Sequence, residues 1–211
     1  MHKGIKGIIF DFDGVIVDSI QVKSEAFAEL YAPYGSETVK KVIEHHESNG
    51  GISRFEKIIN YHQTFLNIEL TDTELSLLSD QFSDLVVEGV TAAHYMPGAL
   101  EYIQNNYGKY KLFISTGTPT NEIKKILEKR SIIEYFDGVF GSPQKKVYHI
   151  EQIFSKSGFK SDEVIFFGDS ETDLNAAKTM CVEFILISND YNAHLLNQYT
   201  GRIINDYVEL L

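Results

Sequence analysis

The chain has 211 residues, of which 43% are hydrophobic and 23% charged, and its formal net charge is -11. That length suits one domain or a core with a substantial insertion, and the composition excludes wholesale disorder. The acidic balance disfavours nucleic acid and anionic membranes as partners, and an anionic substrate would need locally placed cations. The single cysteine, Cys181, excludes an intrachain disulfide and a cysteine-rich metal site, and its place beside an apolar run predicts a buried structural thiol. His2 and Lys3 introduce an apolar run that acids interrupt at once, so no signal peptide is expected. No apolar stretch approaches the roughly 18 residues of a membrane helix, and the expected location is the cytoplasm.

The stretch GIKGIIFDFDGV, residues 4 to 15, reads as a strand buried on both faces, because its apolar run is too short for a helix. Asp11 and Asp13 stand at its end, two residues apart and so on one side of an extended chain. Asp13-Gly14 alone could be an ordinary turn, but Asp11 sits within the apolar run and needs a cation, a shared proton or an open cleft.

Residues 19 to 94 read as helices, with starts at Val22, Ser36 (as a serine cap), Ser53 (with Glu56 in a capping box) and Thr71. His45, His46, His62 and His94 lie in or beside this stretch without zinc-site spacing, and read as surface or packing residues. From Met96-Pro97-Gly98 onward strands and helices alternate. Strands are expected at 111–115, 138–140, 163–169 and 182–187, with a further one at RIIND. The helices between them begin at Thr118, Lys145 and Glu171. This rhythm predicts an α/β fold, a parallel sheet with helices on both faces, into which residues 19–94 insert an all-helical module between core segments 1–18 and 95–211.

Three later strand ends carry polar groups. Ser115-Thr116-Gly117 precedes a helix, where hydroxyls and free N–H groups either cradle an anion or serve only as loop and capping groups. Lys145 and Lys146 open a helix, an unfavourable place for two cations unless an anion is near. Asp169 ends a buried strand and Asp173 lies one helical turn further on, where a capping role competes with a functional one. An oxygen-only ligand set without histidine or cysteine favours magnesium over zinc, and an acidic site facing an anion cradle suggests phosphoryl transfer.

With DFDGV, IST, a lysine opening a helix and GDSxxD in order, the chain resembles the haloacid dehalogenase superfamily along essentially its whole length. The likeness is to its phosphatase branch with a helical cap, the phosphoglycolate phosphatase and β-phosphoglucomutase group. It implies a Rossmann-like core and a helical cap domain. It further implies Asp11 as nucleophile and Asp13 as general acid and base. Ser115, Thr116, Gly117 and Gly14 would hold the phosphoryl group, and a lysine would neutralise it. Mg²⁺ would be held by Asp11, Asp169 and the backbone carbonyl of Asp13, with Asp173 in support. Gly-Ser-Pro-Gln-Lys-Lys departs from the frequent Gly-Lys-Pro and favours Lys146 over Lys145.

The expected activity is Mg²⁺-dependent hydrolysis of a small phosphomonoester by a monomer, through an aspartyl phosphate. A mutase is the alternative, because GISR, residues 51–54, resembles the segment by which β-phosphoglucomutases contact a second phosphate; Arg54 is then either that contact or a solvated helix residue. Lys23 stands where those mutases have a histidine, which weighs against this. A non-catalytic relative that only binds a phosphorylated ligand is the third reading.

Overall fold

A computed structural model describes residues 4–211; the N-terminal reading based on His2 and Lys3 lies outside the described residues. Six parallel strands form one sheet: β1 (Gly7–Phe10), β2 (Lys111–Pro119), β3 (Gly138–Ser142), β4 (Val164–Gly168), β5 (Glu183–Ile187) and β6 (Arg202–Ile204), in the order β3-β2-β1-β4-β5-β6. Every residue of β1 is buried, as a central parallel strand requires. Ile8 and Phe10 pack into one core, with Ile114 and Phe167, while Ile9 packs into the other, with Phe113 and Phe166.

Helices α1 (Ile20–Tyr31), α2 (Ser36–Ser48), α3 (Arg54–Tyr61) and α4 (Asp72–Ala92) all lie between β1 and β2. The core helices are α5 (Ala99–Asn106), α6 (Thr120–Lys129), α7 (Lys146–Ser157), α8 (Glu171–Thr179) and the single turn α9 (Ala193–Leu196). Tyr102, Ile103, Ile123 and Ile126 of α5 and α6 cover one sheet face; Ile150, Ile153, Leu174 and Ala177 of α7 and α8 cover the other. No helix among the described residues is long and apolar enough to cross a membrane.

The inserted helices have their own packing. Phe27 of α1 meets Tyr61 of α3 edge to face and Phe82 of α4 at a tilt, with ring centroids 5.7 and 4.2 Å away. The two linkers to the core pair with each other: Asp18 N–H donates to the His94 carbonyl and Met96 N–H to that of Ile16, both at 2.9 Å.

Several local expectations are corrected. Ser36 is the first residue of α2 rather than its cap, and Gly35 precedes it. The Ser53 hydroxyl accepts from Glu56 N–H, but the Glu56 carboxylate accepts a hydrogen bond from the Ser53 hydroxyl instead of from its backbone N–H, so the capping box is not complete. The helix expected from Thr118 starts at Thr120, because β2 runs on through Pro119. Cys181 is exposed, not buried: it makes the turn between α8 and β5 at φ 54°, and that left-handed bend turns its side chain away from the core.

Candidate active site

The order of the strands reverses beside β1: the chain moves outward to β2 and β3, then returns on the other side as β4. The carboxyl end of β1 is therefore the switch point at which ligands bind in open α/β sheets. Phe10 is in register with Ile114 and Phe167. Asp11 follows Phe10 directly, its N–H held by the Phe167 carbonyl at 2.9 Å.

Asp11 is almost completely buried. Its Oδ1 accepts from Phe12 N–H at 2.6 Å and its Oδ2 from Lys146 Nζ at 2.7 Å. The same ammonium donates to Asp173 Oδ1 at 2.5 Å. Asp173 Oδ2 caps α8 by accepting from the Ser170 N–H and hydroxyl. Capping and site support, offered above as alternatives for Asp173, are thus combined in one carboxylate. Lys146 is buried and Lys145 exposed, so the geometry separates the two lysines.

Carboxylate oxygens of Asp11, Asp169 and Asp173 lie within 4.8 Å of one another. Asp169 Oδ2 accepts from Asn189 Nδ2 at 2.8 Å and presses against the turn after β1; a Cβ on Gly14 would come within 2.3 Å of that oxygen. Gly14 also has φ +74°, so both space and backbone demand glycine there. Burial pushes Asp11 up to about 7, against the pull of Lys146 and with help from Asp173 and Asp13. Burial, with the nearby charge of Asp11, holds Asp169 well above the usual carboxylate range. Asp11 and Asp173 share the Lys146 ammonium with Asp169 close by, and Asp11 and Asp169 hold their protons chiefly because they are buried, with mutual repulsion adding to it. This all-oxygen set fits a hard divalent cation.

The Asp13 carboxylate stands apart from that cluster. Lys23 Nζ donates to its Oδ2 at 2.5 Å, Thr118 Oγ1 to the same oxygen at 3.1 Å, and Ser19 Oγ to its Oδ1 at 2.6 Å. Burial alone would raise Asp13, but Lys23 and the two hydroxyls outweigh it and hold the group below the ordinary value. Two carboxylates two residues apart are therefore pushed in opposite directions, Asp11 toward its protonated form and Asp13 toward its ionised form.

Ser115 is completely buried, and its hydroxyl meets His149 Nδ1 at 2.9 Å. It lies behind the site, whereas Thr116, Gly117 and Thr118 line the cavity over Asp11 and Asp13. Successive strand residues face opposite ways, so of two adjacent hydroxyls only one can face the cavity.

The cavity, about 310 Å³, is closed on its far side by the inserted helices and the turn at 49–52. That turn is in tight contact with the core. A Cβ on Gly51 would lie 2.0 Å from Thr172 Oγ1 and 2.5 Å from Ser170 Oγ, and one on Gly117 would lie 2.7 Å from the Gly51 carbonyl. Arg54 lies at the wall, but its guanidinium forks onto Glu122 of α6 and also donates to Ser83 Oγ of α4. It is neither solvated nor free.

Thr118, Asn189, His149 and Glu122 were not anticipated in these positions, and Lys23, singled out above only as weighing against a mutase, is found on Asp13. Lys23 and Thr118 carried a signal, lying close to the motifs in sequence; Glu122 pairs with a residue 68 positions away and carried none.

The chain matches the haloacid dehalogenase-like hydrolase family over residues 8–187. It is 28% identical over 198 residues to a phosphoglycolate phosphatase of Photorhabdus laumondii, covering 90% of this chain and 83% of that protein. Among solved structures, a predicted phosphoglycolate phosphatase from Haemophilus somnus superposes with a TM-score of 0.78 at 20% identity, covering 100% of this chain and 98% of that one. A magnesium-bound HAD-hydrolase candidate of Bacillus subtilis, YfnB, superposes at 0.72 with 18% identity, covering 99% and 97%. With the family matched along most of its length and the acidic cluster at the switch point, the chain belongs to the haloacid dehalogenase-like hydrolases and is an enzyme.

Proposed function

We propose that the protein is a Mg²⁺-dependent phosphatase of small phosphomonoesters, with residues 1–18 and 95–211 as catalytic core and 19–94 as a cap that closes over it. The observation that carries this reading is the buried set of Asp11, Asp169 and Asp173 around Lys146, of which Asp11 and Asp169 line a cavity together with Asp13. The likeness to proteins named phosphoglycolate phosphatase supports the substrate class, and the magnesium reported in YfnB supports the metal.

Asp11 is the nucleophile. A carboxylate oxygen attacks phosphorus, the bond from phosphorus to the substrate oxygen breaks, and the leaving oxygen takes a proton from Asp13. Water then gives a proton to Asp13 and attacks the aspartyl phosphate; the bond to Asp11 breaks and phosphate leaves. Lys146 offsets the charge of Asp11 and of the phosphoryl oxygens. Thr116 and the N–H groups at Gly117 take the phosphoryl contacts first expected of Ser115, whose hydroxyl is committed to His149. Asp11, Asp169 and the Asp13 backbone carbonyl would hold Mg²⁺, with Asp173 orienting Lys146. Bound there, Mg²⁺ supplies the positive charge that lets a carboxylate meet an anionic phosphate.

The hydrolase reading is favoured over the mutase because Arg54 is committed to Glu122 and Lys23 to Asp13. Phosphate release from a phosphomonoester panel, with and without Mg²⁺, tests it. Isomerisation of β-glucose 1-phosphate without net release would favour the mutase.

A further inference from the structure

Four cations stand around the active-site cavity, and three of them hold carboxylates: Lys146 holds Asp11 and Asp173, Lys23 holds Asp13, and Arg54 holds Glu122. The fourth, Lys57 of α3, has no carboxylate within ion-pair distance among the described residues, although only 3% of it is exposed. Its ammonium donates to His46 Nδ1 at 2.8 Å and to the His46 carbonyl at 3.1 Å, and sits 6.0 Å from the Phe27 ring centroid. Lys57 and His46 both line the cavity.

His46 is itself held neutral by burial and by the neighbouring Lys57. With Nδ1 accepting from Lys57, Nε2 carries the ring proton, and that buried atom has no hydrogen-bond partner; the Ile20 backbone exerts only a minor pull toward protonation. Burial and the nearby Lys23 push the Lys57 ammonium down to about 7, against the pull of Asp13 and Asp169. Burying an uncompensated cation is costly, and an arriving anion removes that cost. The same charges show that Lys57 is within electrostatic reach of the catalytic carboxylates, so one small molecule in a cavity of about 310 Å³ can meet both ends.

We propose that Lys57, steadied by His46, is a specificity-determining cation that takes a second anionic group on the substrate. The preferred substrates are then phosphomonoesters bearing a carboxylate or a second phosphate rather than neutral ones. The inference rests on the phosphatase reading above. It gives the cap a recognition element distinct from Arg54, which is already neutralised.

The test compares kcat/KM within two matched pairs, 2-phosphoglycolate against ethyl phosphate and 1,3-propanediol bisphosphate against propyl phosphate. A charge-assisted contact predicts a preference of about tenfold to hundredfold for the anionic member of at least one pair. Which pair shows it distinguishes carboxylate from phosphate. Lys57→Met should reduce that ratio to within about threefold, and Lys57→Arg should retain part of it. Calorimetric binding of the same probes to Asp11→Asn protein, with and without Lys57→Met, reads the contact without turnover, and a thermal melt checks that each variant is folded. Turnover of both members at equal efficiency, or a ratio that survives Lys57→Met, would overturn the inference and leave the phosphatase standing. A folded chain that neither binds nor hydrolyses any of the four would overturn both.

Discussion

Lys23 Nζ of the first inserted helix lies 2.5 Å from Asp13 Oδ2 in the turn after β1, so an inserted helix supplies the counter-ion of that carboxylate. The contact forms only when the inserted helices sit against the core. In that arrangement Lys23 biases Asp13 toward its ionised form, the form that the proposed reaction needs to activate water.

Removing that cation has a predictable sign. Asp13 is held below its ordinary value chiefly by Lys23 working against burial, so Lys23→Met raises it. The acid limb of the kcat profile, where the ionised base is lost, should move to higher pH. Dephosphorylation should slow on the acid side of the profile, and phosphoenzyme should accumulate there in a rapid-quench experiment. An unmoved acid limb would separate Asp13 from proton transfer.

Arg54 and Glu122 form a buried ion pair between α3 and α6, joining the inserted helices to the core. Arg54→Met strands a buried carboxylate, and urea unfolding should show a loss of roughly 3–5 kcal/mol. Arg54→Met with Glu122→Met should recover most of it, since neither charge then remains unpaired. A double variant as unstable as the sum of the singles would show that the two residues are uncoupled.

His149 supports Ser115 from α7 while remaining neutral; burial, with Lys146 nearby, depresses it to about 4. Between pH 4 and the ordinary value of 6.5 the unfolded chain takes up a proton that the native one refuses. The stability tied to this group is complete above about 6.5 and lost as pH falls toward 4, a difference of roughly 3 kcal/mol. His149→Gln should flatten the pH dependence of urea midpoints in that window, and an unchanged slope would count against it.

Asp11 and Asp169 must give up protons to receive a metal, and both hold them unusually tightly because of burial. The rise in melting temperature caused by Mg²⁺ should therefore be small at pH 5.5 and grow toward pH 8. Asp169→Asn should abolish it at both. A shift of equal size at the two pH values would place Mg²⁺ elsewhere.

Much of this architecture was legible in the sequence because its signals were local. The apolar runs ending in Asp11 and Asp169 and the alternation of strands and helices each depend on a few neighbouring residues. What escaped depended on which side of the backbone a residue faces, or on distant partners. Ser115 and Thr116 are equivalent in type, and only the packing of α7 behind β2 directs the first onto His149. Cys181 adjoins an apolar strand, but its left-handed turn exposes it. Arg54 looked available because Glu122 is supplied by another part of the fold.

The most direct test of the account is covalent trapping at Asp11. The intact chain with Mg²⁺ and a hydrolysable phosphomonoester should release phosphate. When quenched during turnover it should carry one phosphoryl group on the peptide containing Asp11, and Asp11→Asn should do neither while remaining folded. Phosphate release that persists in Asp11→Asn, or turnover in which the label is found on another residue, would contradict the assignment of Asp11 as nucleophile.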